Sequence, residues 1–219
     1  MQQLFAPRLS YSPSERRADA AIHMVGLVAA MLAVPLLIGA ALVRSYDSGN
    51  GVFIGAVLIY GVTFLAMIGA SALYNMTPSA TLNWLYQRLD HSAIYLKIAG
   101  TYTPFTLFTG QGVWLLLGLW GAAALGVAMK VIAVERFRIF ALLLYLGMGW
   151  VGVMILPDLA AVLPMAVLVL MVAGGVVYTL GVGFYLCAGL RYHYVIWHVF
   201  VLVASFLLYA SIMTMLLRA

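Results

Sequence analysis

Seven apolar runs of about 20 residues follow one another along this chain with only short breaks, and no other feature narrows its possible folds as far. They cover roughly 21–43, 52–74, 90–109, 113–131, 138–156, 161–187 and 193–216. A helix of that length crosses about 30 Å of hydrocarbon, and it satisfies its own backbone polar groups where no water can. Long continuous runs, in place of short alternating segments, argue against a β-barrel. Composition agrees: 66% hydrophobic and 8% charged residues leave too little charge for the surface of a soluble domain of 219 residues. The expected architecture is therefore an all-α membrane protein, a seven-transmembrane helix bundle forming one domain over 1–219. The breaks are turn-like: SYDSGNG (45–51), FTGQG (108–112), VERFR (134–138) and LPDLA (156–160). None is long enough to separate domains. The first run is followed by further spans, so it reads as a retained helix and not a cleaved signal. The single cysteine, Cys187, excludes an intramolecular disulfide.

Charge placement orients the bundle. With the N-terminus inside, Arg8, Arg16, Arg17, Arg88, Lys130, Arg136, Arg138 and Arg191 fall on the cytoplasmic side. Arg44 and Arg218 fall outside, and Lys97 lies within a span. Eight against two predicts a cytoplasmic N-terminus, with residues 1–20 as a cytoplasmic segment, and an outside C-terminus. The net charge of +5 rests on few residues at helix ends, which excludes nucleic acid as a partner. The expected partners are membrane lipids, with a second copy of the chain as a further candidate, and the expected location is a bacterial inner membrane.

Ahead of the first run, YSPSERRADAAIH places Ser12 as an N-cap, Pro13 at the first helical position and Glu15 three residues after the serine. This predicts a helix start near residue 13. Glu15, Asp19 and His23 follow at i, i+4 and i+8 and so share one face. Two readings stand side by side: acids favoured by the helix dipole and facing headgroups, or a role in closing the cytoplasmic mouth of the bundle.

Polar and ionisable side chains inside spans face the bundle interior or a water-filled cavity. Here they are Ser71, Asn75, Asp90, His91, Lys97, His193, Tyr194 and His198. Asn75 ends the second run, Asp90 begins the third and His193 begins the seventh, all at the cytoplasmic side, so a polar cavity opening to that side is expected. Ser71 with Asn75, and Tyr194 with His198, are i, i+4 pairs able to face it. His193 and His198 lie about 140° apart on their helix and cannot both point at one centre. Asp90 and Lys97 share a face but stand about 10 Å apart by helix rise. His91 is turned about 100° from Asp90 and reads as a packing or interfacial histidine. Trp84, Trp114, Trp150 and Trp197 sit near run ends, as interfacial belts do, and Pro104 is expected to end or kink the third helix.

The motifs SALYN (71–75), LDHSAIYLKIAGTYTPF (89–105), YLGMGW (145–150), GGVVYTLGVGFY (174–185) and IWHVFVLVAS (196–205) resemble those of the bacterial hemolysin III proteins. These belong to the progestin and adipoQ receptor family, related more distantly to alkaline ceramidases. The resemblance runs from Glu15 to the seventh span and implies seven helices with a cytoplasmic N-terminus. It also implies a zinc site near the cytoplasmic face, built from Ser-x-x-x-His, an Asp and His-x-x-x-His, with three imidazoles on the metal and the carboxylate activating a water. Carried over by position, Ser71, Asp90 and His198 match, and they are the candidate catalytic residues of a hydrolase reading. Asn75 stands in place of the first histidine and Tyr194 in place of the span-seven partner. An amide oxygen and a neutral phenol are poor zinc ligands, so no metal is expected at this set. What remains there is His198 with Asp90 and His193 or His91 in a rearranged site. Asn75, Lys97 and Tyr194 become candidate ligand-binding residues.

Lys97 is read as a cation that offsets Asp90 once the dication is gone, against the alternative that it borders water. Three functions of different class follow. The first is a hemolysin III-type protein with a lipid-binding or membrane-homeostasis role. The second is a lipid amide or ester hydrolase. The third is a cytolytic pore or ion conduit, which the few buried polar residues support least. The first is the reading adopted.

Overall fold

A computed structural model describes residues 11–77, 79, 81–133 and 138–218. Among them every regular element is helical: α1 Pro13–Ser48, α2 Val52–Met76, α3 Asn83–Thr109, α4 Val113–Ile132, α5 Arg138–Trp150, a 3-10 turn Val151–Ile155, α6 Leu156–Val162, α7 Met165–Leu186 and α8 His193–Arg218. Helix starts and stops follow local chemistry. Ser12 and Glu15 form the capping box that opens α1, with Pro13 in its first turn. Gly49 and Gly110 end α1 and α3 in the left-handed conformation that a side chain disfavours, and Gly112 adopts it ahead of α4.

Six segments are long and apolar enough to cross a membrane: α1, α2, α4, Ile139–Val162 taken across its break, α7 and α8. α3, which carries Arg88, Asp90 and Lys97, is not among them, although it packs against α2 and α4. The helices neighbour one another in the order α4, α3, α2, α1, α8, α7, and α5 touches α3, α4 and α7 to complete the ring. α1 has 36 residues, about 54 Å of helix, and so projects well beyond a hydrocarbon core of about 30 Å.

Close approaches rest on missing side chains. A Cβ on Gly100 would meet the Thr63 hydroxyl at 2.1 Å, and one on Gly126 would meet the Tyr95 ring at 2.5 Å, so α3 lies tight against α2 and α4. The glycines of α2 and α7 are only partly used this way: Gly61, Gly174 and Gly181 touch neighbours, whereas Gly55 and Gly183 face open space.

Three sequence expectations are corrected here. Pro104 neither ends nor breaks α3, which continues to Thr109; the Thr103 and Thr106 hydroxyls donate to carbonyls one turn back, at Ala99 and Tyr102, on either side of it. LPDLA is not a loop but the opening of the short helix α6. The fifth run is not one continuous helix, because it breaks at Val151–Ile155. That break is held from α3: Tyr102 donates its hydroxyl to the Gly149 carbonyl at 2.6 Å and accepts the Gly152 N–H at 3.2 Å. Polar groups freed by a helix break inside lipid need such a partner. Residues 134–137 of the VERFR turn, and Arg8, lie outside the described residues.

Candidate functional site

α1 and α8 start at the same end of the bundle and are tied together there. The Glu15 carboxylate accepts the N–H of Tyr192 at 3.0 Å, just where Tyr192 takes a left-handed turn (φ 62°) into α8. Tyr11 shares a hydrogen bond with His193 Nε2 at 3.2 Å and stacks on the Tyr194 ring at 5.6 Å. Burial pushes the Tyr11 hydroxyl up to about 12, so it stays a neutral phenol.

One turn deeper, the 3.6-residue period of α1 carries Asp19 and His23 onto α8. Asp19 Oδ1 is hydrogen-bonded to His198 Nδ1 at 2.5 Å, and Asp19 Oδ2 lies 3.5 Å from His23 Nε2. The two imidazole centroids are 4.4 Å apart, all three side chains are buried, and one donor atom from each falls within 4.8 Å of the others. The edge of Tyr194 closes on His198 with centroids 4.4 Å apart.

Beside this cluster lies a partly open cavity of about 1110 Å³, lined by residues from α1, α2, α3, α4, α5, α7 and α8. Ser71, Asn75, Asp90, Lys97, Tyr194 and His198, the six residues singled out from the sequence, all line it. So do His23, His91, His193 and Lys130 at its polar end, and Met67, Ile98, Phe105, Met171 and Leu202 along its length. Asp90 and Lys130 are both buried in its wall.

Within that wall several expectations change. The carboxylate that grips His198 is Asp19 from α1, not Asp90, and His193 turns to Tyr11, so the rearranged set of His198, Asp90 and His193 does not form. Asn75 donates its amide back to the Ser71 carbonyl at 2.9 Å and to the Ser71 hydroxyl at 3.4 Å. Lys97 does not reach Asp90. Its ammonium donates to Thr101 Oγ1 at 2.7 Å, one turn further from Asp90, and lies 4.9 Å and 5.3 Å from the Tyr60 and Phe64 ring centroids. The reason is steric reach: two turns separate Asp90 from Lys97, whereas Thr101 and the two rings are adjacent. Lys97 is 2% exposed and lies in the cavity wall.

Asp19 and His23 are the functional candidates that sequence reasoning placed on one face but did not bring to His198. The i, i+4, i+8 spacing with Glu15 was the available signal. The contact with α8, 179 residues away, was not visible in it.

These features define a polytopic helical membrane protein with a buried carboxylate–imidazole cluster beside a large cavity. The Haemolysin-III related family model matches residues 13–209. Hemolysin-3 of Bacillus cereus is 34% identical over 209 residues, covering 94% of each chain. The Hemolysin-3 homolog of Bacillus subtilis is 34% identical over 199 residues, 89% of this chain and 91% of its own. The human monocyte to macrophage differentiation factor is 26% identical over 202 residues, 87% of this chain and 82% of its own. No solved structure matches. The chain belongs to the haemolysin-III-related family.

The three-imidazole zinc set that the family resemblance implies does not fit the residues present. Of its positions only His198 is an imidazole; Asn75 is folded back on Ser71, and Tyr194 presents a ring packed against His198.

Proposed function

We propose that this protein is a seven-span membrane protein, with α3 as the seventh span and the N-terminus on the cytoplasmic side. Its cavity holds a lipid-derived amphiphile with the polar head at the end where α1 and α8 begin. The observation that carries this reading is the uneven lining of the 1110 Å³ cavity: most charged and imidazole groups gather at the end where α1 and α8 begin, and the rest is mostly methionine, aliphatic and aromatic, interrupted by Lys97, Thr101 and Thr179. A cavity of this size matches a ligand of several hundred daltons, and that polarity gradient matches an acyl chain with a small polar head. Ser71, Asn75, Asp90 and Tyr194 then bind the head, and Lys97 sits deeper beside the chain. A role in membrane homeostasis in a bacterial inner membrane is the setting this occupant implies.

A pore reading draws on the name of the Bacillus relatives, hemolysin, and would need a water column lined by polar rows. The apolar length of the cavity supports an occupant instead. A hydrolase reading needs the imidazoles that Asn75 and Tyr194 replace.

The test is native mass spectrometry of protein extracted in mild detergent, with organic extraction to identify what leaves it. The unmodified protein should carry a co-purifying amphiphile, and Ile98→Trp, which fills the apolar part of the cavity, should lose it while folding normally. An empty unmodified protein, or equal occupancy in Ile98→Trp, rejects this function.

A further inference from the structure

We propose that Asp19, His23 and His198 bind a divalent first-row transition cation, in a centre whose carboxylate and first imidazole come from α1. The donor set is one carboxylate and two imidazoles, the combination that suits zinc, iron(II) or cobalt(II) and leaves coordination positions open. The geometry is close to what such an ion requires. Donors at about 2.1 Å in a tetrahedron stand roughly 3.4 Å from one another. Here Asp19 Oδ2 to His23 Nε2 is already 3.5 Å, and all three donors lie within 4.8 Å. The hydrogen bond between Asp19 Oδ1 and His198 Nδ1 has to break as a proton is exchanged for the cation, and donors as far apart as 4.8 Å have to close by about an ångström.

Burial argues in the same direction. A carboxylate and two imidazoles at 6–8% exposure form an arrangement in which an uncompensated charge is expensive, and a dication neutralises the carboxylate outright. The two elements that supply the donors are held in register independently of the cluster, by the Glu15–Tyr192 and Tyr11–His193 hydrogen bonds one turn nearer the helix starts. His23 and His198 also line the cavity, so the open positions face whatever occupies it. The centre differs from the family-type set in every position but His198, and it does not depend on the cavity's occupant.

The experiment is metal analysis of the full-length protein purified without chelator, followed by cobalt(II) titration of metal-stripped protein in detergent. Stoichiometric metal in the unmodified protein and a cobalt absorption band in the visible, at the intensity of a four- or five-coordinate site, are expected. His23→Ala should lower both at least tenfold, and His23→Cys should restore metal with a new sulfur-to-cobalt charge-transfer band, a signature a structural hydrogen bond cannot produce. Cys187→Ser, exposed and outside both the centre and the cavity, should keep the unmodified stoichiometry. No metal in the unmodified protein together with no cobalt band overturns the proposal, as does a His23→Ala variant that folds normally and binds metal undiminished.

Discussion

Lys97 and Asp90 looked, side by side on one helix, like a charge pair, and the structure separates them. Lys97 is enclosed by Thr101, Tyr60 and Phe64, all neutral. Two cation–π contacts contribute about 0.5–2 kcal/mol each and the hydrogen bond about 1.5–3, against an effective desolvation cost of several kcal/mol for a buried ammonium. The sum sits near zero or below. Lys97→Met is therefore expected to leave the thermal midpoint in detergent unchanged or raised; a fall of several degrees would show that the ammonium has a charged partner. Tyr102 is the opposite case, a neutral side chain satisfying two backbone groups at the α5 break. Tyr102→Phe should destabilise by about 1–3 kcal/mol, read as a lowered midpoint, because the Gly149 carbonyl and the Gly152 N–H both lose their partner. A midpoint equal to that of the unmodified protein would mean the break is satisfied elsewhere.

Among the helices, packing is decided by where a Cβ is missing. α3 can run against α2 only because Gly100 leaves room for Thr63, whose hydroxyl is engaged with the Ile59 and Tyr60 carbonyls and cannot swing aside freely. Gly100→Ala is expected to cost about 1–3 kcal/mol through forced separation of the two helices. Gly55→Ala, a glycine of similar sequence context with open space around it, should be within about 0.5 kcal/mol of the unmodified protein. Equal effects from the two would disprove the packing argument. The sequence pattern cannot separate these glycines, since both fall within runs read as spans; only the neighbouring helix distinguishes them.

At the level of the whole bundle, the proposed orientation puts the end carrying Asp19, Asn75, Asp90 and His198 at the cytoplasmic face. Cys187, the single cysteine and exposed, closes α7 at that end. A membrane-impermeant thiol reagent should label it in inverted membrane vesicles and not in right-side-out ones. With Cys187→Ser as background, Tyr46→Cys, at a site 89% exposed near the far end of α1, should show the reverse. The opposite labelling pattern would invert the orientation and, with it, the side from which the cavity is reached.

Much of the helical layout was legible in the chain because hydrophobic length is a local property. The capping box at Ser12–Glu15 acts within a few residues and is found where it was read, and six apolar segments long enough to cross a membrane are found among the described residues, although the fifth run is broken and α3 is not one of them. The eight polar residues named within the spans reach one cavity for a related reason: polar groups in lipid have few places to go but inward. The partner of each was decided only by the tertiary structure. Asp19 meets His198 across 179 residues, Tyr102 holds a break 47 residues on, and Lys97 turns from Asp90 to Thr101. Spacing along one helix states which side chains share a face, and the packing of one helix on another decides what that face meets.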